Sequence, residues 1–336
     1  MDFREIMVDM YRNILTQYLK DQSERTLYQG QKFSRKSIEE QIPPDEIISI
    51  HKALLQELFP AIPQEILNSF DILLEVMVGY GLAYQEHQSL RDKQMEIRTE
   101  MEIAANVQQT LLGTSIPNVK GLDIGALSIP AKHMNGDYYH FVHDDGQFLN
   151  VAIADVIGKG IPAALCMSMI KYAMDSLPET RSAPNIVLES LNRVVEQNVD
   201  PSMFISMFYG IYDLNVHSFY FSSAGHEPGY FYEKNADQFS EINAKGLLLG
   251  IDKKTKYSQY KKEVLPGDMM ILMSDGVTES RTENGFIEKE ALMNYIKQYL
   301  HLSAQEIVNH VYKDLEKLQN FHLRDDFTMI ILRREV

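Results

Sequence analysis

Four aspartates in this sequence lie beside glycines and at the ends of apolar runs. Asp137 follows Gly136, Asp155 opens the segment Asp-Val-Ile-Gly-Lys-Gly, Asp275 lies in Ser-Asp-Gly, and Asp325 begins Asp-Asp-Phe-Thr. An unpaired carboxylate buried at the end of an apolar strand would be costly. Several carboxylates brought to one edge of a sheet would also repel one another unless a cation neutralised them. The pattern therefore predicts a cation site built from these acids.

The ligand type indicates which cation this site would bind. Carboxylate oxygens select hard cations such as Mg²⁺ and Mn²⁺, whereas zinc favours nitrogen and sulfur. No pair of Cys or His residues has metal-ligand spacing, so a zinc site is not expected. Glycines at 136, 158, 160 and 276 would let the backbone turn sharply, so that a peptide carbonyl could join the coordination. The alternative is ordinary turn chemistry, in which Asp-Gly and Gly-Asp are common.

The elements that would carry these acids follow Gly113 and Pro117. Segments rich in Tyr, Phe, Val and Ile and bounded by Gly, Asp, Asn or Pro predict strands. The predicted strands are 122–129, 138–142, 148–154, 203–212, 219–223, 229–232, 257–264, 269–273 and 327–332. The predicted helices are 161–177, 184–198, 289–300 and 304–318. Strands in runs and helices in pairs favour an α+β layered domain over a parallel βαβ fold.

The first part of the chain predicts a bundle of four helices, residues 1–84. Apolar residues from Phe3 to Tyr18 recur at spacings of three and four, which predicts a first helix. A second helix is expected at 27–38. Pro44 and Pro63 are each expected in the first turn of a further helix. The apolar run 72–82 is broader than one bundle face needs, which indicates a homodimer surface. A deeply buried central helix is the alternative.

Residues 85–112 predict a helical linker. Leu90, Ile97, Ala104 and Leu111 recur every seven residues, and no Gly or Pro interrupts them. The stripe is narrow and partly polar, which is typical of a weak, adjustable coiled coil. A plain surface helix is the alternative.

Composition excludes several other classes of function. With 45% hydrophobic and 24% charged residues, the chain is typical of a soluble globular protein. The net charge is −15, of which residues 1–112 carry −7 and the rest −8, so no basic footprint for nucleic acid or an anionic membrane is expected. Neither a signal peptide nor an apolar run of transmembrane length is expected. Cys166 is the single cysteine, which fits a reducing, cytoplasmic location.

The order of the acidic motifs resembles the type 2C metal-dependent protein phosphatases, in the bacterial branch typified by the sporulation phosphatase SpoIIE. The motifs are Gly-Asp at 136–137, Asp-x-x-Gly-Lys-Gly at 155–160, Ser-Ala-Gly-His at 223–226, Ser-Asp-Gly at 274–276 and Asp-Asp-Phe-Thr at 325–328. The resemblance covers residues 121–336. The helices before them are similar to those of stress-response phosphatases that activate the general stress sigma factor.

The resemblance implies an α-β-β-α sandwich with two Mn²⁺ or Mg²⁺ ions in a channel at one end. Matched residue by residue, Asp155 is the carboxylate that bridges the two ions, and the carbonyl of Val156 is the backbone ligand beside it. Asp137 matches the acidic position before these, and Asp275 and Asp325 match ligands of the second ion. These five residues are the expected catalytic and metal-binding set.

The resemblance also implies a reaction and partners. Two cations lower the pKa of a water for in-line attack on phosphorus, so no phosphoenzyme is needed. The implied substrate is a phosphorylated anti-anti-sigma factor, an RsbV-like STAS protein, and the implied activator is an RsbT-like kinase bound by the N-terminal bundle. The chain lacks the arginine that eukaryotic members place near the first strand. How the phosphoryl group is held is therefore an open question.

Three side chains near these motifs have two interpretations each. His226 could be a general acid or could organise a turn, and the turn is favoured. Lys159 could pair with phosphate or be solvated. Cys166 lies in an apolar helical run and is expected in the core.

Two other classes of function are weighed against the phosphatase. The segment 155–160 could be the acidic, glycine-rich box of an ATP-binding module, but its spacing has one extra residue and no Asn-containing helix precedes it. An inactive phosphatase fold that only binds partners is disfavoured because all four matched aspartates are present.

Overall fold

The structure, a computed structural model, describes residues 3–143, 147–156, 158, 160–176, 183–200, 203–282, 285–321 and 323–336. The chain divides into two compact units, Met1–Thr99 and Glu100–Val336. Lys159 lies outside the described residues, so its two interpretations stay open. The boundaries expected at residues 84 and 112 also stay predictions.

The first unit consists of helices. They are α1 (Phe3–Lys20), α2 (Glu24–Glu39), α3 (Pro44–Leu58) and α4 (Gln64–Leu112), which continues into the second unit. Pro44 occupies the first turn of α3, as predicted. Pro63 lies one residue before α4 and not within its first turn, so that part of the prediction is wrong by one position.

An aromatic cluster joins the four helices of this unit. The ring of Tyr11 contacts Phe33 and His51, and His51 contacts Phe70. The hydroxyl of Tyr11 lies 2.9 Å from Nδ1 of His51. Because each ring belongs to a different helix, the cluster fixes how the helices pack.

Helix α4 is continuous through the predicted bundle helix and linker. Ile72, Val76 and Leu82 are 72%, 60% and 63% exposed, so the alternative of a deeply buried central helix is wrong for the described chain. One 18-residue window of α4 is apolar enough to cross a membrane by length and composition alone. The expectation that the chain has no apolar run of transmembrane length is therefore not confirmed for α4. Helices that bury an apolar face against protein pass it too, and the absence of a membrane partner stays a prediction.

The second unit is an α-β-β-α sandwich, which confirms the predicted α+β class. Its strands are β1 (Leu122–Ile129), β2 (Asp137–His143), β3 (Phe148–Val156), β4 (Ile205–Asp213), β5 (Ser218–Ala224), β6 (Gly229–Glu233), β7 (Gln238–Ile242), β8 (Tyr260–Glu263), β9 (Met269–Met273), β10 (Arg281–Thr282), β11 (Gly285–Phe286) and β12 (Phe327–Arg334). Its further helices are α5 (Ile161–Asp175), α6 (Pro184–Asn198), α7 (Asp275–Thr278), α8 (Lys289–Gln298) and α9 (Ala304–Leu318).

Two five-stranded antiparallel sheets pack face to face. One has the order β1-β12-β9-β6-β7 and the other β2-β3-β4-β5-β8. Alternate residues of one strand enter different cores: Val151 and Ile153 lie between the sheets, whereas Ala152 and Ala154 pack under α5 and α6. Helices α8 and α9 cover the outer face of the other sheet. Cys166 lies on the buried face of α5 and is part of the core under α5 and α6, as predicted.

The sequence prediction missed β7 and made β8 too long. Gln238, Ser240 and Glu241 of β7 are exposed polar residues on an edge strand, so the segment lacks the apolar alternation of a half-buried strand. In the segment predicted as 257–264, only the largely exposed residues from Tyr260 to Glu263 pair with β5. Tyr257 instead packs into the core beneath α6.

Candidate metal centre

Asp137 and Asp155 face each other across two paired strands. Asp137 begins β2, Asp155 lies near the end of β3, and the two are directly opposite in the antiparallel ladder. Side chains at opposite positions lie close together, and like charges there destabilise the sheet. The sequence places both acids at the same sheet edge because β2 and β3 form a hairpin whose open end carries the two motifs.

Asp137 is buried and incompletely paired. Its side chain is 3% exposed, and Oδ2 has no hydrogen-bond partner among the described residues. Burial and the charge of Asp155 raise the pKa of Asp137 well above its ordinary value, whereas the hydroxyls of Ser274 and Thr328 partly offset the rise. A bound cation or a proton would reduce the free-energy cost of a buried carboxylate oxygen that lacks a hydrogen-bond donor.

Asp326 organises the loop that precedes Asp137. It accepts hydrogen bonds from the backbone N–H of Ala131 at 2.7 Å and of Gly136 at 2.5 Å. A Cβ atom at Gly136 would lie 3.2 Å from Oδ2 of Asp326 and 3.7 Å from Oδ1 of Asp155. Both oxygens of Asp326 are thus used by the backbone, which suits a supporting role better than direct coordination.

Asp275 and Asp325 form a second acidic pair, carried by α7 and the turn before β12. Burial, followed by the charges of Asp325 and Glu279, raises the pKa of Asp275. Asp325 is exposed. A Cβ at Gly276 would lie 2.0 Å from the carbonyl oxygen of Asp326, so only glycine permits this crossing of the two turns. The glycine of the Ser-Asp-Gly motif is therefore required by a close backbone approach.

The two pairs are linked through Ser274 and Thr328. The N–H of Ser274 donates to the Thr328 carbonyl at 2.9 Å, and the N–H of Thr328 donates to Oγ of Ser274 at 3.1 Å. Both hydroxyls lie beside Asp137. One network of hydrogen bonds therefore joins the ends of the two sheets that carry the acids.

The structure brings the predicted residues together as pairs and not as a closed cluster. Among the described residues, no group of three or more His, Cys, Asp or Glu side chains is close enough to hold a metal ion. Val156, predicted to supply a carbonyl ligand, ends β3 and donates its N–H to the carbonyl of Gly136 at 3.3 Å. The all-oxygen donor set and the orphaned oxygen of Asp137 fit a hard divalent cation.

His226 is held in the turn between β5 and β6. Its Nδ1 lies 2.8 Å from the hydroxyl of Ser206, and its N–H donates to Oγ of Ser223 at 3.1 Å. Burial lowers the pKa of His226 to about 4, with a partial offset from the backbone of Met273. A ring that is neutral near pH 7 and bonded to Ser206 of β4, together with the backbone bond to Ser223, supports the interpretation as a turn organiser.

The buried His226 predicts a specific loss of stability in acid. The pKa of His226 is lowered in the folded state. As the pH falls below the ordinary histidine pKa, the unfolded chain therefore binds a proton at this residue before the folded chain does. We expect the unfolding free energy of the β-rich unit to be about 2 kcal/mol lower at pH 5 than at pH 7 because of this residue. Urea unfolding followed by circular dichroism at both pH values measures the difference.

Two variants isolate this contribution. His226→Asn should flatten the pH dependence, whereas His301→Gln, a change at an exposed position, should leave it intact. Equal slopes for His226→Asn and the unmodified chain would exclude His226 as the cause.

The sequence prediction overlooked Asn135 and Gln108. Asn135 Oδ1 accepts from the N–H of Asp137 at 2.9 Å, and Gln108 from α4 bonds to the backbone of Asn135. Asn135 lies beside the Gly-Asp motif and could have been suspected from its position. Gln108 is 27 residues earlier and carries no signal that single-sequence patterns can detect.

Comparison with known proteins identifies relatives of both units. A family model described as stage II sporulation protein E (SpoIIE) matches residues 145–335, and one described as phosphoserine phosphatase RsbU, N-terminal domain, matches residues 9–83. Phosphoserine phosphatase RsbU of Bacillus subtilis is 59% identical over 336 residues, which is 100% of both chains.

Solved structures show the same fold at low identity. The SiaA PP2C domain of Pseudomonas aeruginosa matches with a TM-score of 0.61 and 18% identity, covering 72% of this chain and 98% of that one. The PP2C domain of SpoIIE from Bacillus subtilis, with a fragment of its regulatory domain, matches with a TM-score of 0.55 and 20% identity, covering 65% of this chain and 64% of that one.

Proposed function

Because the chain belongs to the SpoIIE family of protein phosphatases and carries an RsbU-type N-terminal domain, we propose that it dephosphorylates an RsbV-like anti-anti-sigma factor when an RsbT-like kinase activates it. At the coarser level it is a regulated phosphoserine phosphatase of the stress response. The observation that carries the proposal is the Asp137–Asp155 pair, with a buried oxygen that lacks a donor.

Family membership implies dependence on a divalent metal, and we propose Mn²⁺ or Mg²⁺ as two ions held by Asp137, Asp155, Asp275, Asp325 and the carbonyl of Val156. When bound, such ions would lower the pKa of a water and neutralise charge on the phosphoryl oxygens. The separation of the acids into two pairs supports an incomplete resting site that activation closes.

The chain's own residues support binding of a phosphorylated protein beside these acids. Lys132 is exposed on the loop that Asp326 ties down, and Arg324 is exposed next to Asp325. The positively charged side chains of Lys132 and Arg324 lie on segments next to the acidic pairs, where they could bind the phosphate of a phosphoserine on an accessible segment. They offer an answer to how the phosphoryl group is held without the arginine of the eukaryotic enzymes.

The surface of the N-terminal unit supports a homodimer that binds the activator. The apolar residues from Ile72 to Tyr84 on α4 are largely exposed. Contiguous apolar surface of this kind marks a protein interface. A cytoplasmic location is part of the same proposal, because both implied partners are regulators of transcription.

Asp275→Ala tests the reaction directly. We expect phosphate release from a phosphoserine STAS protein with Mn²⁺ to fall at least about 100-fold, since even residues that only support a metal ligand are worth about 10–100-fold. Circular dichroism should show an intact fold, because Asp275 is partly exposed at the start of a short helix.

A matched change at Asp252, a turn residue of the same unit outside the acidic motifs, serves as the control, and Asp252→Ala should retain turnover. Unchanged turnover in Asp275→Ala would refute its assignment as a ligand. Tight ATP binding without phosphate release by the unmodified chain would favour the nucleotide-binding alternative.

A further inference from the structure

One buried amide connects the end of α4 to the candidate metal centre. Gln108 is 6% exposed, although Val107 and Gln109 on either side of it are exposed. Its Oε1 accepts from the N–H of Asn135 at 3.0 Å, and its Nε2 donates to the carbonyl of Asn135 at 2.6 Å. Both ends of the amide are thus used by the backbone of one residue.

Asn135 transmits this constraint to Asp137. Its Oδ1 accepts from the N–H of Asp137 at 2.9 Å, and its Nδ2 donates to Oγ of Ser128 at 2.7 Å. The hydroxyl of Ser128 lies 2.8 Å from that of Thr328, which in turn lies beside the Asp137 carboxylate. The side chain of Asn135 therefore holds the backbone of Asp137 directly and reaches the Thr328 hydroxyl beside its carboxylate through Ser128.

Simple anchoring of α4 does not require Gln108. Lys171 of α5 donates to the carbonyl of Leu111 at 2.6 Å, and Thr114 donates to the carbonyl of Tyr139 at 3.1 Å. Leu112 packs against the core under α5. With these contacts in place, α4 would stay anchored without the Gln108 amide, whose two hydrogen bonds instead satisfy the N–H and carbonyl of Asn135.

We propose that Gln108 is a positioning residue for the metal centre. It holds the backbone of Asn135 so that the Asn135 side chain sets the place of Asp137. The proposal rests on the assignment of Asp137 as a metal-binding acid. Residues that orient a ligand tune metal affinity although they never touch the metal.

The same geometry makes the acid sensitive to the position of α4. The rise of an α-helix is about 1.5 Å per residue, so a shift of one residue along the axis would break both bonds to Asn135. Gln108 also lies between Ala104 and Leu111 of the predicted seven-residue stripe.

Gln108→Met in the full chain tests this inference. Methionine has a similar size and helix propensity but forms neither hydrogen bond. We expect isothermal titration with Mn²⁺ to show an affinity about 10–100-fold weaker than that of the unmodified chain. Turnover at saturating Mn²⁺ should approach that of the unmodified chain, because Asp137 is displaced and not removed. Gln109→Met, the same change at the exposed neighbour, should alter neither quantity.

The possible outcomes separate this inference from the proposed function. Unchanged Mn²⁺ affinity in Gln108→Met overturns the inference, even if the melting temperature falls, because a purely structural role predicts that result. Asp137→Asn in the same titration tests the metal centre itself, and unchanged affinity there would refute the assignment of Asp137. Gln108→Glu keeps the shape of the side chain but cannot donate to the Asn135 carbonyl. If Gln108→Met does not fold, the same affinity criterion is applied to Gln108→Glu.

Discussion

Asp137→Asn is expected to stabilise the metal-free protein while it abolishes metal-dependent phosphatase activity. The carboxylate is buried, faces Asp155 across the strand pair and leaves Oδ2 without a donor. A buried charge without compensation costs several kcal/mol, and a neutral amide at this position avoids part of that cost. We expect about 2 kcal/mol, or a melting temperature roughly 4–8 °C higher, in the presence of a chelator.

The stability that Asp137→Asn adds to the metal-free protein should increase as the pH rises. The pKa of Asp137 is raised in the folded state, so the folded protein holds this proton more tightly than the unfolded chain does. Stability of the metal-free protein therefore falls as the pH rises from the ordinary aspartate pKa through the raised one. Asparagine removes that fall, so the difference between the two proteins should grow as the pH rises through this range.

With Mn²⁺ added, the unmodified chain should become more stable than Asp137→Asn. The unmodified chain gains about 2.7 kcal/mol at a metal concentration 100 times its dissociation constant, whereas Asp137→Asn gains little. Its phosphate release should be at least about 100-fold slower. Thermal melts with chelator and with Mn²⁺, together with phosphate release, measure all three effects.

Asp123→Asn provides a matched control on the other sheet. Oδ2 of Asp123 accepts hydrogen bonds from the guanidinium of Arg333 and from the N–H of Ala304. Removing this paired carboxylate should destabilise the protein by about 1–3 kcal/mol and leave its response to Mn²⁺ unchanged. A metal-free Asp137→Asn protein that melts below the unmodified chain would show that the buried charge is already compensated.

The sandwich could be predicted from the sequence because its signals are local. Strands such as β1 and β9 are short apolar runs bounded by turn residues, and the acidic motifs mark the ends of β3, β9 and the start of β12. Edge strand β7 was missed because its exposed polar residues lack that pattern. The layered class was thus predictable, whereas the exact edges of the sheets were not.

The candidate site was also predictable only in part. Asp137, Asp155, Asp275 and Asp325 stand out because each lies beside a glycine or a strand end. The pairing of Asp137 with Asp155 follows from the register of the β2–β3 hairpin. The residue types alone do not predict that register. The contacts of Asp326 with the loop 131–136 and of Gln108 with Asn135 join distant segments, so only the folded chain reveals them.

Ile97→Asp is expected to abolish activation by the partner and to leave basal turnover unchanged. Leu90, Ile97 and Leu111 of the predicted stripe are 55%, 57% and 49% exposed on one continuous helix. An apolar stripe exposed along a helix is stabilised when a second helix covers it. A carboxylate at its centre would be buried without a partner, which opposes pairing by several kcal/mol. Phosphate release with and without the proposed RsbT-like activator measures both states.

The exposure of Ile97 is what makes this test specific. A charged side chain there meets water in the unpaired chain, so the fold and the basal rate have no reason to change. Ile103 is 59% exposed on the same helix but lies off the seven-residue stripe, so Ile103→Asp adds the same charge and should preserve activation. Sedimentation with the activator present should show pairing for Ile103→Asp and not for Ile97→Asp. Full activation of Ile97→Asp would exclude pairing through this stripe, and equal loss in both variants would assign the effect to charge on α4 in general.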